Sequence, residues 1–355
     1  MPSQNDIEKR FLSFFKDEPR GRSVSGSGAL AAGSIQGPHR DGNEDRVAAA
    51  EIRYANSQLQ SLRVGIVCDG MGGMESGDVA ASLAISCFLG ALAHERPTSL
   101  PALLKLAVDR ANQVVFSRFN GRAGTTLSAV VVAQNESWVV HVGDSRIYKL
   151  ASDGELALVT VDDTVQGAIN AHQGDRNEDE LDNRLLQFIG VGEALQPHLI
   201  NVTGSNAYAW LATSDGAHGI GRRLLEDLVE RPLIPIDLVR RFIFVADALN
   251  VRDNASVVVI GADPKSEPPA PSFGVDLSLW SASDHLNAWL AIDNDQERVG
   301  YAAAKHAAVP QEAEVAPAKP RQKKRTRTKR TQKENSTEPE VPMSVIFEQG
   351  PVKGD

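Results

Sequence analysis

The stretch VGIVCDGMGGMESGDVA, residues 64–80, decides how this chain is read. An apolar, β-branched run heads toward a core and stops at Asp69, glycines crowd in behind it, and an Ala-rich, helix-like segment follows. A strand that ends on a charge, beside residues without side chains, delivers a carboxylate and open backbone to the same place.

Asp69 has counterparts. Asp144 lies in HVGDSRIY between two apolar runs, Asp215 follows one in AWLATSDGAHG, and Asp253 precedes one in RDNASVVVI. Taken singly, each is most simply an Asp closing a turn. Taken together, four acids at strand ends, too far apart in sequence to share one loop, suggest a common edge of a sheet sandwich. Like charges gathered there repel and raise one another's pKa. The usual remedy is a hard divalent cation such as Mg²⁺ or Mn²⁺, which takes oxygen ligands and keeps several waters. A fifth patch, HRDGNEDRV at residues 39–47, adds Glu44 and Asp45, with Arg40 four residues before Glu44. Alone it reads as a charged surface turn. Beside the other acids it supplies a guanidinium fork that matches phosphate oxygens. Acids for a metal and an arginine for an oxyanion make a phosphoryl-transfer set.

The rest of the chain sets bounds. Its 355 residues are 42% hydrophobic and 23% charged, which suits a globular core. Its apolar runs are expected to fall short of the ~18–20 residues of a membrane span. The N-terminus shows no secretory signal, so a cytoplasmic protein is expected. Cys68 and Cys87 form no metal-type pair and read as reduced core thiols. The net charge is −9, yet residues 319–333 hold nine Lys or Arg and no acid, which leaves −18 for everything else.

Residues 1–25 read as a flexible arm and residues 26–262 as the folded domain. Strands are expected at Leu62–Cys68, Leu127–Ala133, Trp138–Val142, Ile147–Leu150, Tyr208–Ala212 and Ala255–Ile260. Helices are expected over 77–93, 99–118, 221–230 and 235–249. Consecutive strands in 127–150, after two long helices, argue for an α+β fold of packed antiparallel sheets flanked by helices rather than a parallel, doubly wound one. Residues 263–300 read as a Pro-rich linker with a short helix carrying Trp280 and Trp289. Residues 301–355 read as a disordered basic tail that ends in one short apolar word, SVIFEQ.

Competing motifs fail. A cysteine phosphatase needs Arg six residues after its Cys, where Cys68 meets Met74 and Cys87 meets Ala93. There is no Walker A loop, no GxSxG elbow, no EF-hand spacing and no HExxH.

The words HRDGNED, VCDGMGGMESGDVA, GTTLSAVVV, VVHVGDSRIYKL, LLQFIG, LATSDG and DNASVVV, in this order, resemble the PP2C (PPM) family of metal-dependent protein Ser/Thr phosphatases of the bacterial type. The resemblance covers roughly residues 27–262. It implies a β-sandwich of two antiparallel sheets with helices outside and two or three Mn²⁺ or Mg²⁺ ions at one end. It also implies that Asp69 bridges two metals, that Asp215 and Asp253 complete the first site, and that the Gly70 carbonyl binds the second with Glu44 nearby. Asp144 with Asp215 would hold a third metal. Asp45 would orient metal waters, Asn254 would support Asp253, and Arg40 would bind the substrate phosphate. The implied chemistry is hydrolysis of phosphoserine and phosphothreonine in proteins by in-line attack of a metal-bridging hydroxide, opposing a Ser/Thr kinase in bacterial signalling. The alternative is a catalytically weak module of the same shape that binds phosphoproteins. The chain departs from the family at Met74 and Asp163, where relatives often have His.

The partners expected are phosphoprotein substrates and a cognate Ser/Thr kinase, for which Thr326, Thr328 and Thr331 are candidate targets. The basic run lacks interleaved aromatics, so electrostatic contact, including contact with the acidic domain, is favoured over nucleic-acid binding. SVIFEQ is expected to dock as an added strand on a partner's sheet edge.

Overall fold

The computed structural model describes residues 3–16, 20–55, 57, 59–71, 76–95, 99–173, 184–230, 234–262, 271–291 and 347–350. The chain divides into two units, Met1–Ile292 with Val345–Asp355, and Asp293–Ser344. The second unit, with the basic run and its three threonines, lies wholly outside the described residues, as does Met74.

Two antiparallel sheets form the first unit. The six-stranded sheet runs β1 (Ser23–Ser27), β2 (Leu30–Ile35), β11 (Ala255–Gly261), β10 (Ala209–Thr213), β7 (Arg146–Leu150) and β8 (Leu156–Leu158). The eight-stranded sheet runs β14 (Phe347–Gly350), β13 (His285–Leu290), β12 (Val275–Trp280), β3 (Arg46–Tyr54), β4 (Ser61–Cys68), β5 (Leu127–Ala133), β6 (Ser137–Val142) and β9 (His198–Asn201). Alternation along the strands builds three apolar layers. On β4, Leu62, Val64, Ile66 and Cys68 face α1 (Gln4–Phe14), α2 (Gly77–His94) and α3 (Leu100–Phe119), while Val67 faces the other sheet. On β11, Ala255, Val257 and Val259 face the side that carries α5 (Asp215–His218), α6 (Arg222–Val229) and α7 (Pro235–Ala248), while Val258 and Ile260 point inward. The sheets approach closely at Gly65, where a Cβ would lie 3.1 Å from Ile260 Cγ2 and 3.2 Å from Val258 Cγ1. The antiparallel sandwich expected from the sequence is the fold observed.

The structure corrects the edges of that expectation. Residues 3–16 are no loose arm. Ser3 and Asp6 form a capping box for α1, and Ile7, Phe11 and Phe15 are buried in the core shared with α2 and α3. Residues 275–290 are not a helix but the hairpin of β12 and β13, which extends the sheet beyond β3. Their alternating burial, with Val275, Leu277 and Leu279 inward, is strand periodicity, and it outweighs the two tryptophans. The apolar C-terminal word contributes β14, which pairs antiparallel with this chain's own β13 rather than with a partner. Finally, α2 has the length and hydropathy of a membrane span, contrary to the expected absence of any such run, yet most of it is buried beneath the sheet.

Replacing Phe11 by Ala is expected to destabilise the protein by about 3–5 kcal/mol in chemical denaturation, the usual loss for a buried Phe. A loose arm would show no change.

Candidate metal centre

Strand register gathers the acids. In the eight-stranded sheet Arg46 faces Cys68, so Asp45, just before β3, and Asp69, just after β4, leave the sheet side by side. In the six-stranded sheet Thr213 faces both Arg146 on β7 and Val257 on β11. Asp144 therefore precedes β7, Asp215 follows β10 and Asp253 precedes β11 at one end of that sheet. The two ends open onto a cavity of ≈ 360 Å³ that brings together Arg40, Asp69, Gly70, Asp144, Asp215 and Asp253. Its remaining wall is Met71, Thr126, Arg184, Leu185 and Phe188, none of which had been given a role, although all but Arg184 lie in the words that carry the resemblance. Arg184 carries no local signal, because it follows the acidic stretch 174–183 and reaches the cavity only through the fold, whereas Phe188 lies in LLQFIG, one of the words that carry the resemblance.

Thr126 locks Asp69 in place. Its hydroxyl accepts the Asp69 N–H at 2.9 Å, and its own N–H donates to the Asp69 carbonyl at 2.9 Å. Gly70 sits where no side chain fits, since a Cβ would lie 2.5 Å from the Gly77 carbonyl and 2.8 Å from the Glu44 oxygen. The Gly70 N–H donates to that Glu44 carbonyl at 3.2 Å, which ties the two acidic turns together. The Glu44 side chain lies beside the cavity, with Oε2 3.9 Å from Arg40 Nη1. Asn254 joins the remaining loops, accepting the Gly37 N–H at 3.1 Å and donating to the Gly42 carbonyl at 3.3 Å. Arg40 hydrogen-bonds Asp253, which reinforces its positive charge. Asp163, at a position where His was expected from relatives, accepts the Gly143 N–H at 3.0 Å and pairs with His198 Nε2 at 2.8 Å, and so braces the turn before Asp144.

Electrostatics match this crowding. Burial first, and then the neighbouring acids, raise the Asp69 carboxyl well above its ordinary range. Burial and the charge of Asp253 raise Asp215. Asp144 is pushed up to about 7, mainly by burial and then by Asp215 and Asp162. Asp45, only 1% exposed, is pushed up to about 6 by burial, and the nearby Ser256 and Ser214 hydroxyls offset only part of that rise. Burial also raises Glu44, while Arg40 acts against that shift.

Among the described residues no three His, Cys, Asp or Glu side chains converge closely enough to hold an ion as they stand. The chemistry of the set nonetheless fits a hard divalent cation: the donors are all oxygens, and the buried acids repel one another.

A raised carboxyl binds a proton in the folded state that it has lost in the unfolded state. Asp144 therefore subtracts stability as pH climbs from its ordinary value of 3.8 through about 7. In EDTA, Asp144→Asn is expected to be more stable than the unaltered protein at pH 8 in chemical denaturation, by an amount on the order of 1–3 kcal/mol. The two should coincide near pH 4.

No protein-family model matches the chain. It is 40% identical over 143 residues to the serine/threonine protein phosphatase PstP of Mycobacterium tuberculosis, a match covering 38% of this chain and 25% of the relative. The chain thus spans about a quarter of that relative's length. It is 27% identical over 213 residues to the serine/threonine phosphatase stp of Listeria monocytogenes, covering 56% of this chain and 84% of the relative. Its fold is similar to a crystal structure of the catalytic domain of the serine/threonine protein phosphatase PstP in complex with two manganese ions. That likeness has a TM-score of 0.54 at 28% identity, over 68% of this chain and 98% of the other.

Proposed function

We propose that this chain, a member of the bacterial PPM/PP2C-type Ser/Thr phosphatase family, hydrolyses phosphoserine and phosphothreonine in proteins with the help of divalent cations. The observation that carries this reading is the convergence of Asp69, Asp144, Asp215 and Asp253 with Arg40 on one cavity. Asp69, Asp215, Asp253, Glu44, Asp144 and the Gly70 carbonyl would hold two or three Mn²⁺ or Mg²⁺ ions. Bound there, the cations supply charge neutralisation and an acidified water.

The protein's own groups account for binding and orientation. Arg40 is held at the cavity by Asp253 and approached by Glu44, so its fork is set to donate to phosphate oxygens in place of a carboxylate. Arg184, Leu185 and Phe188 also line the cavity, so its wall is cationic and apolar at once, which suits a phosphorylated side chain on a peptide. Thr126 fixes the backbone of Asp69, so this acid keeps its aim without a reorganisation cost. Neither cysteine lines the cavity, and burial raises both thiols, Cys87 to about 12. A thiolate nucleophile is therefore not available. The cellular reading is a cytoplasmic enzyme that reverses a Ser/Thr kinase.

The purified chain is expected to release phosphate from a phosphothreonine peptide in Mn²⁺ and to stop in EDTA. Asp69→Asn should lower kcat/KM by about 10²-fold or more. Arg40→Lys should act mainly by raising KM for the peptide, about tenfold. Phosphate release that persists in EDTA, or survives Asp69→Asn, would remove the metal-dependent mechanism.

A further inference from the structure

Arg46 closes the acidic turn of HRDGNEDRV, and its side chain is 2% exposed. Glu44 and Asp45 precede it in sequence and Asp69 leaves the neighbouring strand beside it, yet its hydrogen bonds run to backbone carbonyls. Nη1 donates to the carbonyls of Asn43 and Asp45, each at 2.8 Å. Nε donates to the Phe15 carbonyl at 2.6 Å, and Nη2 to the Lys16 carbonyl at 3.2 Å. One half of the guanidinium therefore grips the turn that carries Glu44 and Asp45, and the other half grips the carbonyls at the C-terminal end of α1. That end is the negative pole of the helix, so the buried cation meets a complementary dipole. The Ser82 hydroxyl of α2 donates to the same Phe15 carbonyl at 3.0 Å.

The helix is in turn firmly docked. Glu8 accepts from Arg110 of α3 at 2.9 Å and 2.8 Å, a two-pronged, largely buried pair. A Cβ at Gly90 of α2 would lie 2.9 Å from Glu8 Cγ, so the α1–α2 approach leaves no room there. Phe11 and Phe15 fill the core beneath.

We propose that Arg46 is a positioning residue which couples docking of the N-terminal helix to the geometry of the Glu44–Asp45 turn, so that α1 sets how tightly the site holds its divalent cation. This rests on the metal-site reading above. Loss of α1 leaves the inner half of the Arg46 fork without acceptors in a buried place. The guanidinium then turns toward the acids or drags the turn with it, and either movement spoils the Glu44 and Asp45 oxygens for a cation.

The test uses the full chain with Arg46→Gln and, away from the turn, Phe11→Ala. Mn²⁺ binding is followed by the electron paramagnetic resonance of the free ion, and local order by amide hydrogen exchange. Both variants are expected to bind Mn²⁺ about tenfold or more weakly. The KM for Mn²⁺ on p-nitrophenyl phosphate should rise, while kcat at saturating Mn²⁺ stays near that of the unaltered protein. The Gly70 amide, which donates to Glu44, should lose more protection than Val139 and Val140 of β6, which report only the overall loss of stability. Unchanged Mn²⁺ affinity and a Gly70 loss no greater than that of β6 in either folded variant would overturn the coupling. Should Arg46→Gln fail to fold, Phe11→Ala decides alone. Should the unaltered protein bind no Mn²⁺, the metal-site reading falls, and the Gly70 exchange of the two variants decides whether the helix holds the turn.

Discussion

Everything at the functional end of this molecule follows from the mutual repulsion of buried carboxylates. Asp45, Asp69, Asp144 and Asp215 each carry a carboxyl whose pKa is raised by burial and by the neighbouring acids. A fold that sought stability alone would not build such a cluster, because buried like charges oppose folding unless something compensates them. The arrangement persists because the scaffold is over-determined. Two sheets, packed through a layer that includes Val67, Val130, Trp210, Val258 and Ile260, are covered on both outer faces by helices. The strand ends cannot retreat from one another without breaking that register.

The antiparallel sandwich is what makes the cluster possible from scattered sequence. Adjacent antiparallel strands start and stop at the same end, so acids placed before one strand and after its neighbour meet without any local motif. The pairings Arg46 with Cys68 and Thr213 with Arg146 and Val257 do this in the two sheets separately, and sheet packing joins the halves. A parallel, doubly wound sheet would have brought together only the strand C-termini. Asp253 and Asp144, which precede their strands, would have stood at the far side.

This explains what the sequence disclosed and what it withheld. Runs rich in Val and Ile, such as those of β5 and β11, announce themselves as strands, and the acids at their ends were legible for the same reason. The strands β2, LAAGSI, and β3, RVAAAEIRY, are alanine-rich and look like nothing in particular. Small side chains are required there because Ala32 and Ala49 lie between closely packed sheets, a tertiary demand that overrides local propensity. The helix α1 is mostly polar, and its few core contacts, Ile7, Phe11 and Phe15, gain meaning only once α2 and α3 are in place. The hairpin of β12 and β13 was misread because its alternation, VDLSLW and HLNAWL, was given less weight than its two tryptophans. Arg184 was invisible because its place at the cavity depends on the path of the chain rather than on any local pattern.

The arginines near the cluster show how the fold keeps the acids available. Arg146, two residues after Asp144, is taken up by Asp162 through contacts of 2.7–3.2 Å. Arg46 is taken up by four backbone carbonyls. Of these three arginines, Arg40 alone hydrogen-bonds an acid of the cavity. Had Arg46 or Arg146 turned inward, a fixed guanidinium would have neutralised the cluster permanently, and no cation would gain by entering. Each is instead satisfied from behind, where its field softens the repulsion without occupying a donor oxygen, as the effect of Arg46 on Glu44 and of Arg146 on Asp144 shows. Arg40 differs because it lies at the cavity itself and is partly exposed, where a substrate oxyanion can take the place of Asp253. The division of labour among three like residues is therefore set by what stands behind each one, a helix end, a carboxylate or the open cavity, rather than by any difference in the side chains themselves.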